Sequence, residues 1–436
     1  MTNTEAAGIE LARLKEIEAD IAAGRLAEAE AAFATLAPLV STDVRVHLAG
    51  AMLGQASRDP QREIASLRRA AQLAPNSPHV QRALAKALSR HGLHDDAVRT
   101  ANAAAQLAPG DIATLEVAVA IADAAGDLET TRRHLQAALT LRPGDVSIRR
   151  ALGRCLAKQG RHGNADNHWR VILAENPDDL FALRWRGAGL IALDRKDEAR
   201  AVLEHALSVA PGDPGLQFHL AIARGETPRS APPAMIENLF DGYATRFDRQ
   251  IVERLHYHVP ERVAEIILAR PAGRDVSVLD LGCGTGLLAL HLGRVSGPFV
   301  GVDVSARMIE QAARREVYTA LRRGDLLEEL RNSAAGAYDC VTALDVFIYV
   351  GELGTVIPAA FEAVRNGGAL IFSCETAEPA EGDLVLRRSQ RYAHSRESIR
   401  KLCRDAGFAS CAIEPIDVRL EGDKPIPGFI AVAQKS

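Results

Sequence analysis

The chain has 436 residues, 47% of them hydrophobic and 25% charged, enough for two or three domains with sizeable cores. A formal net charge of −4 argues against a protein built mainly to bind nucleic acid or an anionic membrane. No apolar run reaches the ~18 residues of a spanning helix, and the opening MTNTEAAGIELARLKE lacks the basic-then-apolar order of a secretory signal. Six cysteines, at 155, 283, 340, 374, 403 and 411, form no CxxC pair. No metal site is expected from them, and scattered free thiols point to a reduced, cytoplasmic setting.

The first half is periodic. Prolines stand at 75, 109, 143, 177 and 211, each 34 residues after the last, within the rhyming strings QLAPNSP, QLAPGDI, LRPGDV, ENPDDL and VAPGDP. Each proline is followed by a polar turn and then by an apolar-periodic stretch, so the pattern predicts a helix stop, a turn and a helix start, repeated. Gly92, Gly126 and Gly160 fall where the first helix of a pair must turn back, a left-handed position that suits glycine. Gly153 and Gly187 fall where two helices need a small residue to approach. The period predicts an all-α helical-repeat solenoid over residues 1–224.

These units resemble the tetratricopeptide repeat, about six of them over residues 10–225, although most of the aromatic positions of that pattern are absent. First-helix positions expected on a concave face carry Arg45, His79, Arg82, Lys86, Arg150, Arg154 and Arg184, against Glu116 and Asp123. That face reads either as a cradle for an acidic peptide or chain-terminal carboxylate, or as a solvated face neutralised by neighbouring acids.

Residues 225–235, GETPRSAPPAM, read as a linker. Beyond it, over 236–436, strands alternate with helices. Strands are expected at 277–281, 299–303, 319–321, 339–343 and 370–374, with a terminal pair at 412–419 and 428–434. They predict an open, doubly wound, Rossmann-like α/β domain with a seven-stranded sheet.

The first of these strands runs into VLDLGCGTGLLALHLG. Asp280 ends the strand, and Gly282, Gly284 and Gly286 make the turn into a helix. A dinucleotide fingerprint would need glycine at Leu287. The next strand ends at Asp303, where a carboxylate can accept bonds from both hydroxyls of a ribose. Met308 stands five residues on, where the resemblance given next implies a place against the adenine face of its cofactor. Gly324-Asp325-Leu326 follows the third strand, and Asp345 follows the fourth at the crevice mouth.

The order D-x-G-x-G-x-G followed by these residues resembles the class I S-adenosylmethionine-dependent methyltransferases. The resemblance implies S-adenosylmethionine as cofactor, with Asp325 and Leu326 meeting the adenine amino group. It also implies a leading helix that folds over the cofactor. Phe240, Tyr243 and Phe247 share one face of that helix, and Tyr243 is the lid candidate. The alternative is that these aromatics simply pack on the sheet or on the last repeat.

The motif names the cofactor and not the acceptor. After the fourth strand stands ALDVFIYV, not the (N/D)-P-P-(Y/F) that grips a planar amide or exocyclic amine. Asp345, Tyr349, Glu375, Tyr392 and His394 are acceptor-side candidates. Of these, His394 and Tyr349 are the catalytic candidates, a base being needed only when the nucleophile carries a proton. His394 stands before Ser395, which reads as a helix cap, so a structural role competes with the catalytic one. The combination of repeats and methyltransferase resembles a bacterial group of predicted methyltransferases with tetratricopeptide repeats.

The leading expectation is methyl transfer to a protein or peptide acceptor recruited by the repeats, with no nucleic acid or membrane partner. The alternatives are a small-molecule methyltransferase whose repeats drive oligomerisation, and a repeat scaffold with a vestigial enzyme domain.

Overall fold

The computed structural model describes residues 3–36, 42–241, 257–421 and 424–436. The chain divides into two compact units, Met1–Trp185 and Arg186–Ser436. The division falls inside the helical region, not at the stretch 225–235.

The first unit is helical. It holds α1 (Asn3–Ala22), α2 (Leu26–Ala34), α3 (Val44–Ala56), α4 (Pro60–Leu73), α5 (Pro78–Arg90) and α6 (His94–Leu107). There follow α7 (Ile112–Ala125), α8 (Leu128–Leu141), α9 (Val146–Lys158), α10 (His162–Glu175) and the start of α11 (Leu180–Ala192). Helix starts are set by short polar side chains. Asp43, Asp59, Ser77, Asp111, Asp127 and Asp145 each accept a backbone N–H of the first turn, which satisfies donors that no carbonyl can reach.

The turn within each pair repeats to the residue. Gly92, Gly126 and Gly160 have φ of +76°, +77° and +73°. The same left-handed turn occurs one period out on either side, at Arg58 and Asp194, both without glycine, and again one period earlier at Gly24. Interior packing follows the same period. A Cβ on Gly153 would come within 2.6 Å of the indole Cη2 of Trp169, which is itself fully buried. The small residue there is what lets the two helices of the pair close.

Arginines of one pair reach the capping aspartate of the next. Arg82 Nη1 donates to Asp111 Oδ2 at 3.2 Å while Asp111 Oδ1 caps α7. Arg150 Nη2 donates to Asp179, whose Oδ1 takes the Ala182 amide. Both arginines were expected on the concave face, and both are ion-paired.

The second unit takes the rest of α11, then α12 (Lys196–Val209), α13 (Pro214–Ala223) and α14 (Pro233–Asp241). Its α/β part runs α15 (Val259–Leu268), β1 (Val278–Leu281), α16 (Leu287–Leu292), β2 (Phe299–Asp303), α17 (Ala306–Ala313), β3 (Ala320–Arg323), α18 (Leu326–Asn332) and β4 (Tyr338–Ala343). It ends with α19 (Val356–Ala363), β5 (Val364–Thr376), β6 (Leu384–Leu386), β7 (Tyr392–His394), α20 (Arg396–Asp405), β8 (Ser410–Glu421) and β9 (Lys424–Gln434).

Strands β3, β2, β1, β4 and β5 lie side by side in that order, all parallel. The antiparallel pair β9 and β8 continues from β5. The sheet has nine strands, not the seven expected. The two extra strands form the hairpin β6–β7, which pairs with Glu375 and Thr376 at the end of β5, beyond the last β4 pairing at Phe372. Both faces of the sheet are covered. Leu279, Leu281, Leu370 and Phe372 pack with residues of α18, α19 and α20, while Val278, Ala369 and Ile371 pack with α15 and α16. This period-two division explains why the central strands are apolar throughout.

The shared turn position yields the first test. Gly92→Ala meets no atom within 4 Å, so its effect isolates the backbone. It should lower stability by about 1 kcal/mol, and Arg58→Gly should raise it by about 0.5 kcal/mol. Urea denaturation followed by circular dichroism reads both; shifts of equal sign would refute the assignment.

Candidate active site

β1 delivers the chain into a turn that only glycine fits comfortably. Gly282, Gly284 and Gly286 have φ of +64°, +54° and +82°. A Cβ on Gly282 would stand 2.4 Å from Val346 Cγ2, so the turn sits directly on the segment leaving β4. Gly286 opens α16.

Asp303, at the end of β2, holds this turn. Its Oδ2 accepts the Gly284 N–H at 2.9 Å and its Oδ1 accepts the Ser305 N–H at 2.9 Å. Burial pushes its carboxyl up from the ordinary value, and the backbone donors oppose that shift. The Val304 amide also acts on it, and a carboxylate offers about four acceptor sites, so acceptor capacity remains for a ribose hydroxyl. That donor set fits the ribose of an adenosyl cofactor.

Asp280 is deeper. Its oxygens accept from Tyr318 Oη at 2.7 Å and Thr342 Oγ1 at 2.8 Å. Burial raises its pKa to about 6 against those two bonds.

Met308 is fully buried in the first turn of α17, beneath the Ser305 cap. Asp325 caps α18, its Oδ1 accepting the Leu327 and Glu328 amides at 2.9 and 3.2 Å. Its Oδ2 takes no bond among the described residues and could still meet an adenine amino group. Leu326 opens the same helix and packs on the core beneath it. Tyr243 and Phe247 lie outside the described residues. Phe240 does not: its ring meets Tyr349 edge-on, centroids 5.6 Å apart.

Helix α14 crosses the ends of the parallel strands. Asp241 Oδ1 accepts from Ser305 Oγ at 2.6 Å, and Glu237 pairs with Arg323 at 2.5 Å. One end thus reaches β2 and β3, while Phe240 reaches the turn after β4. The stretch 225–235 is pinned as well. Ser230 forms a β-bridge with Val350, Ala231 N–H donates to Tyr349 O at 2.9 Å, and Tyr392 Oη donates to Pro228 O at 2.7 Å. Phe218 of α13, Ala231 and Tyr392 form an apolar cluster, with Met235, Ile236, Tyr349, Leu384 and Leu386 packed around it.

Two of the acceptor-side candidates are otherwise engaged. His394 is 2% exposed, lies in β7, and bonds the backbone carbonyls of Phe347 (3.3 Å) and Val350. Burial holds its pKa below the usual value. It clips the short 3-10 turn Phe347–Tyr349, a structural role that displaces the general-base reading. Tyr392 is fully buried and ties down the 225–235 segment. Tyr349 packs against Phe240 and the apolar cluster, and burial pushes its phenol up, which keeps it protonated and leaves no base there at neutral pH. Asp345 leaves β4 at φ +58° and is ion-paired with Arg419, which also holds Glu375. No motif in the sequence announced Arg419; it lies 74 residues from Asp345.

Comparison with known proteins agrees with this geometry. A family model described as a methyltransferase domain matches residues 278–368. A ubiquinone biosynthesis O-methyltransferase of Bordetella avium is 29% identical over 153 residues, which cover 33% of this chain and 64% of the relative. Its counterpart from Sodalis glossinidius is 32% identical over 155 residues, 32% of this chain and 60% of the relative. The chain thus spans less than two thirds of the length of these relatives. Among solved structures, the magnesium protoporphyrin IX methyltransferase of Synechocystis with bound S-adenosylhomocysteine is 22% identical. It covers 47% of this chain and 100% of its own, with a TM-score of 0.37. The domain matched at residues 278–368 is therefore that of a methyltransferase that uses S-adenosylmethionine.

Asp280 gives a pH test. Its folded pKa of about 6 lies above its ordinary 3.8, so the stability it contributes is complete below pH 3.8 and is lost as pH rises to about 6. The loss amounts to about 3 kcal/mol at the usual 1.4 kcal/mol per unit. Asp280→Asn should flatten the fall in unfolding free energy between pH 4 and pH 6. An unchanged pH profile in the variant would show that Asp280 titrates normally.

Proposed function

We propose that the protein transfers the methyl group of S-adenosylmethionine to a small, largely apolar acceptor. The observation that carries the reading is the Asp303 carboxylate, which seats the glycine turn and keeps acceptor sites for a ribose. In this reading Gly282, Gly284 and Gly286 let the backbone approach the cofactor, and Asp280 stabilises the turn from below. Asp325, Leu326 and Met308 border the adenine, and Asp345 stands at the methyl-donor end. The cofactor supplies a sulfonium methyl that is already activated, so the chain's own residues mainly orient the acceptor and exclude water.

A small acceptor is supported by what surrounds Tyr349. Tyr349 packs with Met235 and Ile236 against one apolar cluster and meets Phe240 edge-on, so the surroundings at the β4 end are apolar or aromatic. The names of the ubiquinone-pathway relatives point the same way. We read the helix pairs as tetratricopeptide repeats forming a solenoid, on the strength of the 34-residue turn series. A second reading, in which the repeats recruit a protein acceptor, keeps one support. Lys86 and Arg154 stand exposed at equivalent first-helix positions two units apart. Reversing both charges should abolish capture of an acidic partner in a pull-down if that reading holds.

Titration calorimetry with S-adenosylmethionine tests the main proposal. Asp303→Ala should weaken binding about a hundredfold, the worth of two bonds to a charged acceptor. Asp303→Asn, which keeps an oxygen for the Gly284 amide, should lose less. Wild-type affinity in both variants would refute the cofactor placement.

A further inference from the structure

Charge does not balance at the β4–β5 end of the crevice. Arg419, on β8, is 3% exposed. Its Nη1 donates to both oxygens of Asp345 at 2.8 and 3.0 Å, and its Nη2 donates to Glu375 Oε1. One cation serves two carboxylates. Of the neighbouring cations, Arg391 faces Glu421 at 3.5 Å and also acts on Glu375, so two cations stand among the three carboxylates Asp345, Glu375 and Glu421, and Arg315 donates its Nε to the Thr285 carbonyl at 2.7 Å. Buried ion clusters add little stability over apolar packing, and an odd charge adds a penalty. A cluster of this kind is therefore better explained by what it faces.

The backbone points to the same place. Asp345 takes a left-handed conformation, uncommon outside glycine, and Ser373 Oγ accepts its N–H at 2.8 Å. The next residue, Val346, is the one that packs against Gly282 of the cofactor turn. In the sheet, β1 alone separates β4 from β2, where Asp303 stands.

We propose that Arg419 is a positioning residue that fixes Asp345 beside the cofactor, and that the carboxylate charge it leaves uncompensated favours the sulfonium cofactor over its neutral thioether product. The inference rests on the methyltransferase reading above. S-adenosylmethionine and S-adenosylhomocysteine differ by one methyl group and one positive charge, so the ratio of their affinities reports the local charge directly. Their absolute affinities report the shape of the site.

The test is calorimetry of the full-length protein with each of the two compounds, with thermal unfolding run beside it to show that each variant folds. Asp345→Asn tolerates the left-handed backbone and removes one charge. It should lower the affinity ratio of S-adenosylmethionine to S-adenosylhomocysteine about tenfold. Glu375→Gln keeps an oxygen for the guanidinium and should move the ratio in the same direction. Arg419→Lys keeps the charge but loses the planar fork, so both affinities should fall together at constant ratio. A ratio unchanged in both charge variants overturns the electrostatic part. Unaltered affinities in Arg419→Lys overturn the positioning part. Wild-type protein that binds neither compound overturns the methyltransferase reading, and the inference with it.

Discussion

The hydrogen bond from the Gly284 amide to Asp303 is the contact on which the site depends. A run of glycines at positive φ has little conformational preference of its own and loses more entropy on ordering than any other sequence. Something outside the turn must hold it. Asp303 does so from the neighbouring parallel strand, so the turn is ordered only when β1 and β2 are in register, Asp280 opposite Gly301. The carboxylate that sets the loop is the same group that has acceptor capacity left for a ribose. On the proposed reading, fold and cofactor site share one residue.

From Asp303 a short relay leads to the cover of the crevice. Ser305 donates its amide to Asp303 and its hydroxyl to Asp241, and the same oxygen caps α17 by accepting the Met308 amide. Helix α14 is thereby tied to the β2 end, and through Phe240 to Tyr349 it reaches the β4 end. The 225–235 segment is bonded to the residues flanking that tyrosine. In this second unit α13, the pinned segment and the short β6–β7 hairpin build one wall together. Helix α13 thus belongs to the same compact unit as the α/β sheet.

Much of this was legible in the residues. The 34-residue period located the helix pairs because proline and glycine mark stops and turns by hard steric rules. The glycine turn and Asp303 were legible because their spacing is fixed by one strand and one turn. Most of what escaped has a common cause. Arg58 and Asp194 occupy the left-handed turn without glycine, so the glycine series alone could not mark those two turns. Arg419 meets Asp345 and Glu375 only after the sheet has brought β8 alongside, through β9, to β5. His394 looked reactive as a lone histidine beside a cap, and burial against two carbonyls gave it a structural task. The β6–β7 hairpin is too short for its three-residue strands to show a period of their own. Long-range pairing decided the last three of these cases.

The basic face of the repeats shows how one residue type can carry two meanings. Read along the chain, Arg82 and Arg150 form part of a positive stripe. In space each meets the capping aspartate of the following pair, and that aspartate needs both partners. One oxygen of Asp111 takes the Ala113 amide and the other takes Arg82. Asp179 divides in the same way between Ala182 and Arg150. A cap alone fixes where a helix begins; a cap that is also ion-paired fixes it relative to the helix before. The arginines therefore act first as spacers between successive pairs, and only side chains outside this arrangement, Lys86 and Arg154 among them, have charge to offer a partner. A ligand drawn to Arg82 or Arg150 would have to compete with the bond that sets the repeat.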